Sequence, residues 1–339
     1  MSRGLGDVYK RQLLFIGDLR EPTYAKTALG LVHWRRDRVV GQLRLAQDAV
    51  DLGVPDMDVE SAAAAGAGSL IIGVATVGGV IPDSWWDVIR AAARQGLDIV
   101  SGLHGRLADN AELVSDAERS GANLIDVRVP PANIPVGTGR KRSGKRVLTV
   151  GTDCAVGKKY SALALTEALQ SLGAKATFRA TGQTGIMIAG EGVPIDAVVA
   201  DFISGAAEAL SPDNDADHWD VIEGQGALFH PGYAGVSLGL LHGSQPDAIV
   251  VCHEALRTEI SGWPDFVVPS VAECIALNLD MARRTNAEVR CAGVTVNTSA
   301  LPDDERAAYL ADLESRLQVP CVDPVIDGCA RIAQRLVKE

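Results

Sequence analysis

The stretch Leu148-Thr-Val-Gly-Thr-Asp-Cys-Ala-Val-Gly-Lys-Lys-Tyr160 holds the densest chemistry in the chain. A strand-like apolar run ends at Gly151 and a helical pattern begins near Lys158, so the residues between must turn sharply. Gly151 and Gly157 let the backbone curl and bring several N–H groups onto one anion. The helix adds the positive end of its dipole, and Lys158 adds a full charge. Gly151, Thr152, Asp153, Cys154, Ala155, Val156, Gly157, Lys158, Lys159 and Tyr160 are therefore expected to cradle the phosphate end of a nucleotide-type ligand. The match to G-x-x-x-x-G-K-[ST] is imperfect. Thr152 stands at the first glycine position, and Lys159 stands where a hydroxyl would ligate Mg²⁺. Ser161 could return a hydroxyl to that neighbourhood. Cys154, near a helix N-terminus, is expected to have a lowered thiol pKa, which would open covalent chemistry. Its commoner role would be packing the loop.

Other polar residues follow strand ends. Arg179 precedes Thr181-Gly-Gln-Thr-Gly185 and suits either a carboxylate or phosphate clamp or an ion pair. Gln183 and Thr184 could hydrogen-bond an acceptor. Glu223, in Asp220-Val-Ile-Glu-Gly-Gln-Gly226, leaves a strand end near the phosphate loop and is the first candidate for a general base. N–H groups around Gly224–Gly226 could hold an oxyanion, with Gln225 facing the substrate. His230 and His242, on the glycine-rich segments Phe229-His-Pro-Gly232 and Leu241-His-Gly243, are further catalytic candidates, although a lone loop histidine is more often structural. Asn297 ends the run Gly293-Val-Thr-Val-Asn297 with an amide.

The 339 residues suggest two domains, and the balance of Ala, Val, Leu, Ile and Gly over aromatics suits buried parallel strands between helices. A net charge of −11 argues against a nucleic-acid partner. No apolar run approaches the roughly 20 residues that span a bilayer, and no signal-peptide pattern is seen. A soluble, cytoplasmic homo-oligomer is expected. The six cysteines form no C-x-x-C pair and read as small core residues of a reducing compartment, so no metal site is expected.

Strands are expected at Leu13–Gly17, Val39–Leu43, Ser69–Val74, Asp98–Ser101 and Asn123–Val127, alternating with helices, which implies parallel βαβ units. The segment 130–145 breaks that rhythm and reads as a linker between a domain at 13–129 and another at 146–339. Its basic run Arg140–Arg146 reads as solvated surface or as a lip beside the anion site. The pattern restarts with strands at Val147–Val150, Lys175–Ala180, Ala197–Asp201, Val221–Glu223, Ala248–Cys252 and Val289–Val296. Met1–Gln12 has no periodicity, resembles translated adaptor sequence joined to a truncated reading frame, and is set aside.

The Gly-Thr-Asp-x-x-Val-Gly-Lys spacing resembles dethiobiotin synthetase and its P-loop relatives. That resemblance implies that Glu223 faces metal or substrate and that Asn297 reads an adenine edge, and it keeps an ATP- and Mg²⁺-dependent ligase or kinase as the alternative function. Blocks throughout the chain resemble a second family more closely. They include Gly78-Gly-Val-Ile-Pro82, Ser101-Gly-Leu-His104, Pro135-Val-Gly-Thr-Gly-Arg-Lys141, Arg179–Gly185, Ile222-Glu-Gly-Gln-Gly226 and Leu241-His-Gly-Ser-Gln-Pro246. These are similar to the D-glutamate N-acetyltransferases of the DgcN type, long filed as a domain of unknown function. The resemblance implies an α/β chain with a Rossmann-like N-terminal domain and a P-loop NTPase-like C-terminal domain. It also implies acetyl-CoA as donor and D-glutamate as acceptor.

Overall fold

Apolar runs with no polar alternation demand cover on both faces, and β1 (Gln12–Gly17) is buried along its whole length. The structure, a computed structural model, describes residues 10–338. It divides into two compact units. Residues up to Pro130 together with Gln183–Pro194 form one; Pro131–Gly182 together with Ile195 onward form the other.

In the first unit, β2 (Val39–Arg44), β3 (Ser69–Ile72), β4 (Asp98–Ser101) and β5 (Leu124–Asp126) join β1 in the order β2-β1-β3-β4-β5. Every pairing is parallel. This is a doubly wound, Rossmann-like sheet. The helix Trp86–Arg94 buries Ile89, Ala92 and Ala93, spaced to lie on one face. Trp85, just before it, is fully buried. It meets Phe15 edge-on with ring centres 5.2 Å apart and donates Nε1–H to Asp18 at 2.9 Å. Contrary to the sequence reading, Gln12 belongs to the fold: it opens β1 and is buried, and the Lys10 ammonium lies 2.7 Å from the Asp98 carboxylate. Residues 1–9 lie outside those described.

The second unit contains β6 (Lys145–Gly151), β7 (Ala176–Arg179), β8 (Trp219–Ile222) and β9 (Ala248–Glu254). A small antiparallel hairpin of β10 (Glu259–Ile260) and β11 (Trp263–Val267) follows, then β12 (Arg290–Asn297) and β13 (Cys321–Val322). The sheet order is β13-β12-β9-β6-β8-β7, with all pairs parallel. From β6 the chain goes out to β7, returns through β8, and then crosses to β9 on the other side of β6. That reversal leaves a crevice at the C-terminal end of β6, where doubly wound sheets bind ligands.

Two expectations are corrected. The segment Ala197–Asp201 is not a strand but carries two short 3₁₀ turns, Ile195–Ala197 and Ala200–Phe202, leading into the helix Ile203–Leu210. A short apolar run does not separate strand from helix by periodicity, and Val199 at its centre is exposed. The basic run is not simply solvated, since Arg142 and Arg146 are buried. The Arg146 guanidinium donates to the carbonyls of Ser143, Ser211 and Pro212 at 2.8–3.3 Å and so pins the start of β6.

Replacing Trp85 with alanine leaves a cavity and an unpaired Asp18. Urea denaturation should show a loss of about 3–5 kcal/mol in stability.

Candidate active site

The loop after β6 is held open by its own backbone. Gly157, at φ 102°, occupies a conformation that side-chain-bearing residues rarely adopt and starts the helix Lys158–Ser171. Ala155 is also left-handed, at φ 56°, a strained conformation for alanine. The helix has no side-chain N-cap bond, and the amides of Ala155, Val156, Gly157 and Lys158 donate to nothing among the described residues. They form a set of uncommitted donors at a positive helix end. The amide of Thr152 is committed, to the Cys252 carbonyl at 3.0 Å, and that of Cys154 to the Asp153 carboxylate at 2.6 Å.

Lys158 is buried, and burial holds its pKa below the ordinary lysine value. Its ammonium donates to the Asp153 carbonyl within the same loop, 2.7 Å away. Asp153 has no exposed surface. Its Oδ2 accepts from Arg257 and from the Ser261 amide, both at 2.8 Å. Arg257 also donates to the Cys154 carbonyl at 2.8 Å and to Glu254 at 2.7 Å. The turn joining β10 to β11 is thereby tied to the phosphate loop. Thr152 is held from the other side, its hydroxyl 3.0 Å from His253 Nδ1. Burial depresses the His253 pKa to about 4, so this ring is neutral near pH 7.

Glu223 follows β8 and is almost completely buried. Its Oε2 accepts the Thr181 and Gly182 amides at 2.9 and 3.0 Å, and its Oε1 accepts nothing among the described residues. Burial pushes its pKa above the usual carboxylate range, against the pull of those amides and of Lys159 and Lys158. Gly224 is required beside it, because a Cβ there would lie 1.7 Å from the Thr149 carbonyl. Its amide is spent on the Thr149 hydroxyl at 2.9 Å, which removes it from the expected oxyanion donors.

His230 is buried between Tyr233 and Trp263, with ring centres 4.5 Å from each. Its Nδ1 accepts the amides of Gly232 and Tyr233 at 3.1 and 3.2 Å. Two donors on Nδ1 assign the neutral ring's proton to Nε2, and that buried atom has no partner among the described residues. Burial lowers the ring's pKa, favouring this neutral form. His230, Cys154 and Asp153 bring potential ligand atoms within 4.8 Å of one another. The set is poorly suited to a cation. The Asp153 oxygens are occupied, Lys158 and Arg257 lie alongside, and the free nitrogen of His230 carries a proton rather than a lone pair.

The remaining candidates divide. Gln225 joins the Glu223 group, donating to the Thr181 hydroxyl at 3.1 Å. Lys159 lies over the Tyr160 ring, 4.7 Å from its centre. Asn297 ends β12, which pairs with β9; its side-chain oxygen accepts the Ser299 amide at 3.1 Å. Cys154 is half-buried, and burial raises its thiol pKa, opposite to the lowering expected from the helix end. Arg179 is engaged with Asp220 at 2.8 Å, an ion pair between β7 and β8. The Ser161 hydroxyl is spent on the Gly157 carbonyl and the Thr295 hydroxyl, so it does not supply the hydroxyl missing at position 159. His242 sits in the last turn of the helix Ala234–Ser244, 3.2 Å from the Met281 carbonyl. Gln183 and Thr184 belong to the first unit, where the Thr184 hydroxyl meets that of Thr27 at 2.8 Å. Arg257, His253 and Ser261 escape a reading of the sequence, because only the pairing of β9 with β6 brings their segment to the loop.

Fold and site together define an α/β protein with a P-loop at the switch point of one parallel sheet and a second, Rossmann-like sheet. The profile described as "Domain of unknown function (DUF1611_C) P-loop domain" matches residues 135–333, and "Domain of unknown function (DUF1611_N) Rossmann-like domain" matches 41–130. The chain belongs to this DUF1611 family. It is 50% identical over 324 residues to a protein of Tritonibacter scottomollicae named D-glutamate N-acetyltransferase, covering 96% of this chain and 97% of that one. A protein of the same name from Pseudoalteromonas is 47% identical, covering 96% and 98%. The crystal structure of a DUF1611 family protein from Anabaena variabilis superposes with a TM-score of 0.86 at 33% identity, covering 98% and 99%. No helix among the described residues is long and apolar enough to cross a membrane.

Replacing Arg257 with methionine strands a buried Asp153 charge. Chemical denaturation should show a loss of about 3 kcal/mol, and adding Asp153→Asn to that variant should recover part of it.

Proposed function

We propose that this chain transfers the acetyl group of acetyl-CoA to the amino group of D-glutamate. The observation that carries the reading is near-full-length similarity, at 50% and 47% identity, to two proteins named D-glutamate N-acetyltransferase. The phosphate loop suits the donor. Its uncommitted amides and Lys158 match a phosphate of the nucleotide end of coenzyme A. Lys159 in place of a hydroxyl suits a phosphate-rich ligand held by cations alone rather than by Mg²⁺. The alternative, an ATP- and Mg²⁺-dependent ligase or kinase, gains no support from Ser161, whose hydroxyl is committed inside the fold. Asn297, at a strand end beside β9, is the candidate contact for the adenine edge.

Acetyl-CoA supplies an activated thioester. In the transfer a C–N bond forms between the D-glutamate nitrogen and the acetyl carbon, the C–S bond breaks, and the amine's proton ends on the departing thiolate. Glu223 is the proposed carrier of that proton. Its Oε2 is anchored by two amides, its Oε1 accepts nothing among the described residues, and burial raises its pKa, which strengthens it as a base. Gln225, held by Thr181 next to it, is the candidate contact for the acceptor.

The purified protein should release CoA thiol from acetyl-CoA only when D-glutamate is present, and a metal chelator should not change the rate. No release across a panel of amino acids would sink the reading. The base form of Glu223 is lost as pH falls through its raised pKa. The acid limb of kcat/KM should therefore lie above about 4.3, the ordinary glutamate value. Glu223→Gln should abolish that limb and lower the rate about 10²–10⁴-fold.

A further inference from the structure

His230 is a buried donor whose Nε2 has no acceptor among the described residues. Its Nδ1 is occupied by the Gly232 and Tyr233 amides, and Tyr233 and Trp263 pack against the ring. Nε2–H is thereby committed to one direction, and one ring nitrogen lies within 4.8 Å of both the Cys154 sulfur and an Asp153 oxygen. Neither neighbour answers it, since Nε2 has no partner among the described residues, both Asp153 oxygens already accept other donors, and a protonated thiol is a weak acceptor. A buried N–H without an acceptor is destabilising, and such groups call for an explanation. Arg257 is balanced by Asp153 and Glu254, so the preference for an anion comes from the uncommitted amides of Ala155–Lys158, with the Lys158 ammonium in the same turn.

We infer that His230 is a ligand-binding residue whose Nε2–H donates a hydrogen bond to a phosphate oxygen of coenzyme A seated in the loop. The inference rests on the acetyl-CoA reading and changes the role of His230. With Nδ1 held by two donors, the neutral ring has no lone pair at Nε2, so it acts as a donor and not as the base that takes the amine's proton. Cys154 then serves as wall rather than nucleophile at the same turn.

Two substitutions separate this role from a structural one. In His230→Asn the side-chain oxygen reaches the Nδ1 position, keeps the Gly232 and Tyr233 bonds, and removes the donor. In His230→Gln the amide NH₂ reaches the Nε2 position and restores the donor at the expense of those loop bonds. Calorimetric titration with acetyl-CoA should show affinity about 10-fold weaker or worse for the Asn variant and within about threefold of wild type for Gln. The KM for D-glutamate should stay unchanged in both, and thermal melting should rank Asn above Gln. Wild-type affinity in the Asn variant, or Gln weaker than Asn, overturns the inference and leaves the acetyl-transfer reading standing. A wild-type protein that binds no acetyl-CoA overturns both.

Discussion

A carboxylate with no exposed surface must find its full set of hydrogen bonds inside the protein, and Asp153 finds them by gathering the site around itself. It takes the Cys154 amide from its own loop, the Arg257 guanidinium from the segment after β9, and the Ser261 amide from the β10–β11 turn. Arg257 in turn holds Glu254 and the Cys154 carbonyl. The strained backbone at Ala155 persists because these contacts over-determine the turn. Asp153 takes one amide of its own loop, and the next four, from Ala155 to Lys158, donate to nothing among the described residues.

Two buried groups near this loop have opposite chemistry. Glu223 is an acid whose charge is disfavoured by burial, anchored through one oxygen with the other open. His230 is a ring kept neutral by burial, anchored through one nitrogen with the other carrying a proton. In each case two backbone amides occupy one atom of the side chain, and that occupation decides what the remaining atom can do. Preorganisation of this kind holds donors and acceptors in place before a ligand arrives.

Much of this was legible in the residues. The buried strands, the parallel βαβ rhythm, the loop Gly151–Tyr160 and Glu223 beside it follow from apolar runs, glycine placement and a strand-end carboxylate. Other readings failed for physical reasons. The run Ala197–Asp201 has the composition of a strand, yet it forms 3₁₀ turns leading into a helix. Arg146 reads as surface charge, yet carbonyls at 2.8–3.3 Å hold it inside. The Cys154 thiol was expected to feel the helix end, but desolvation is the larger effect.

What the amino-acid order determined alone is local: where the chain turns, which helix start follows the glycine-rich turn, and which residues stand within a few positions of it. Glycine conformation, helix polarity and hydrophobic period all act over such short distances. What only the tertiary structure decided is which distant groups complete the site and in what protonation state. Arg257 and His253 reach the loop because β9 pairs with β6, while Arg179 is drawn into an ion pair because β7 pairs with β8. Burial and hydrogen-bond occupancy arise from contacts between segments far apart in sequence, so which atoms of Glu223 and His230 are held by amides is decided only in the folded chain.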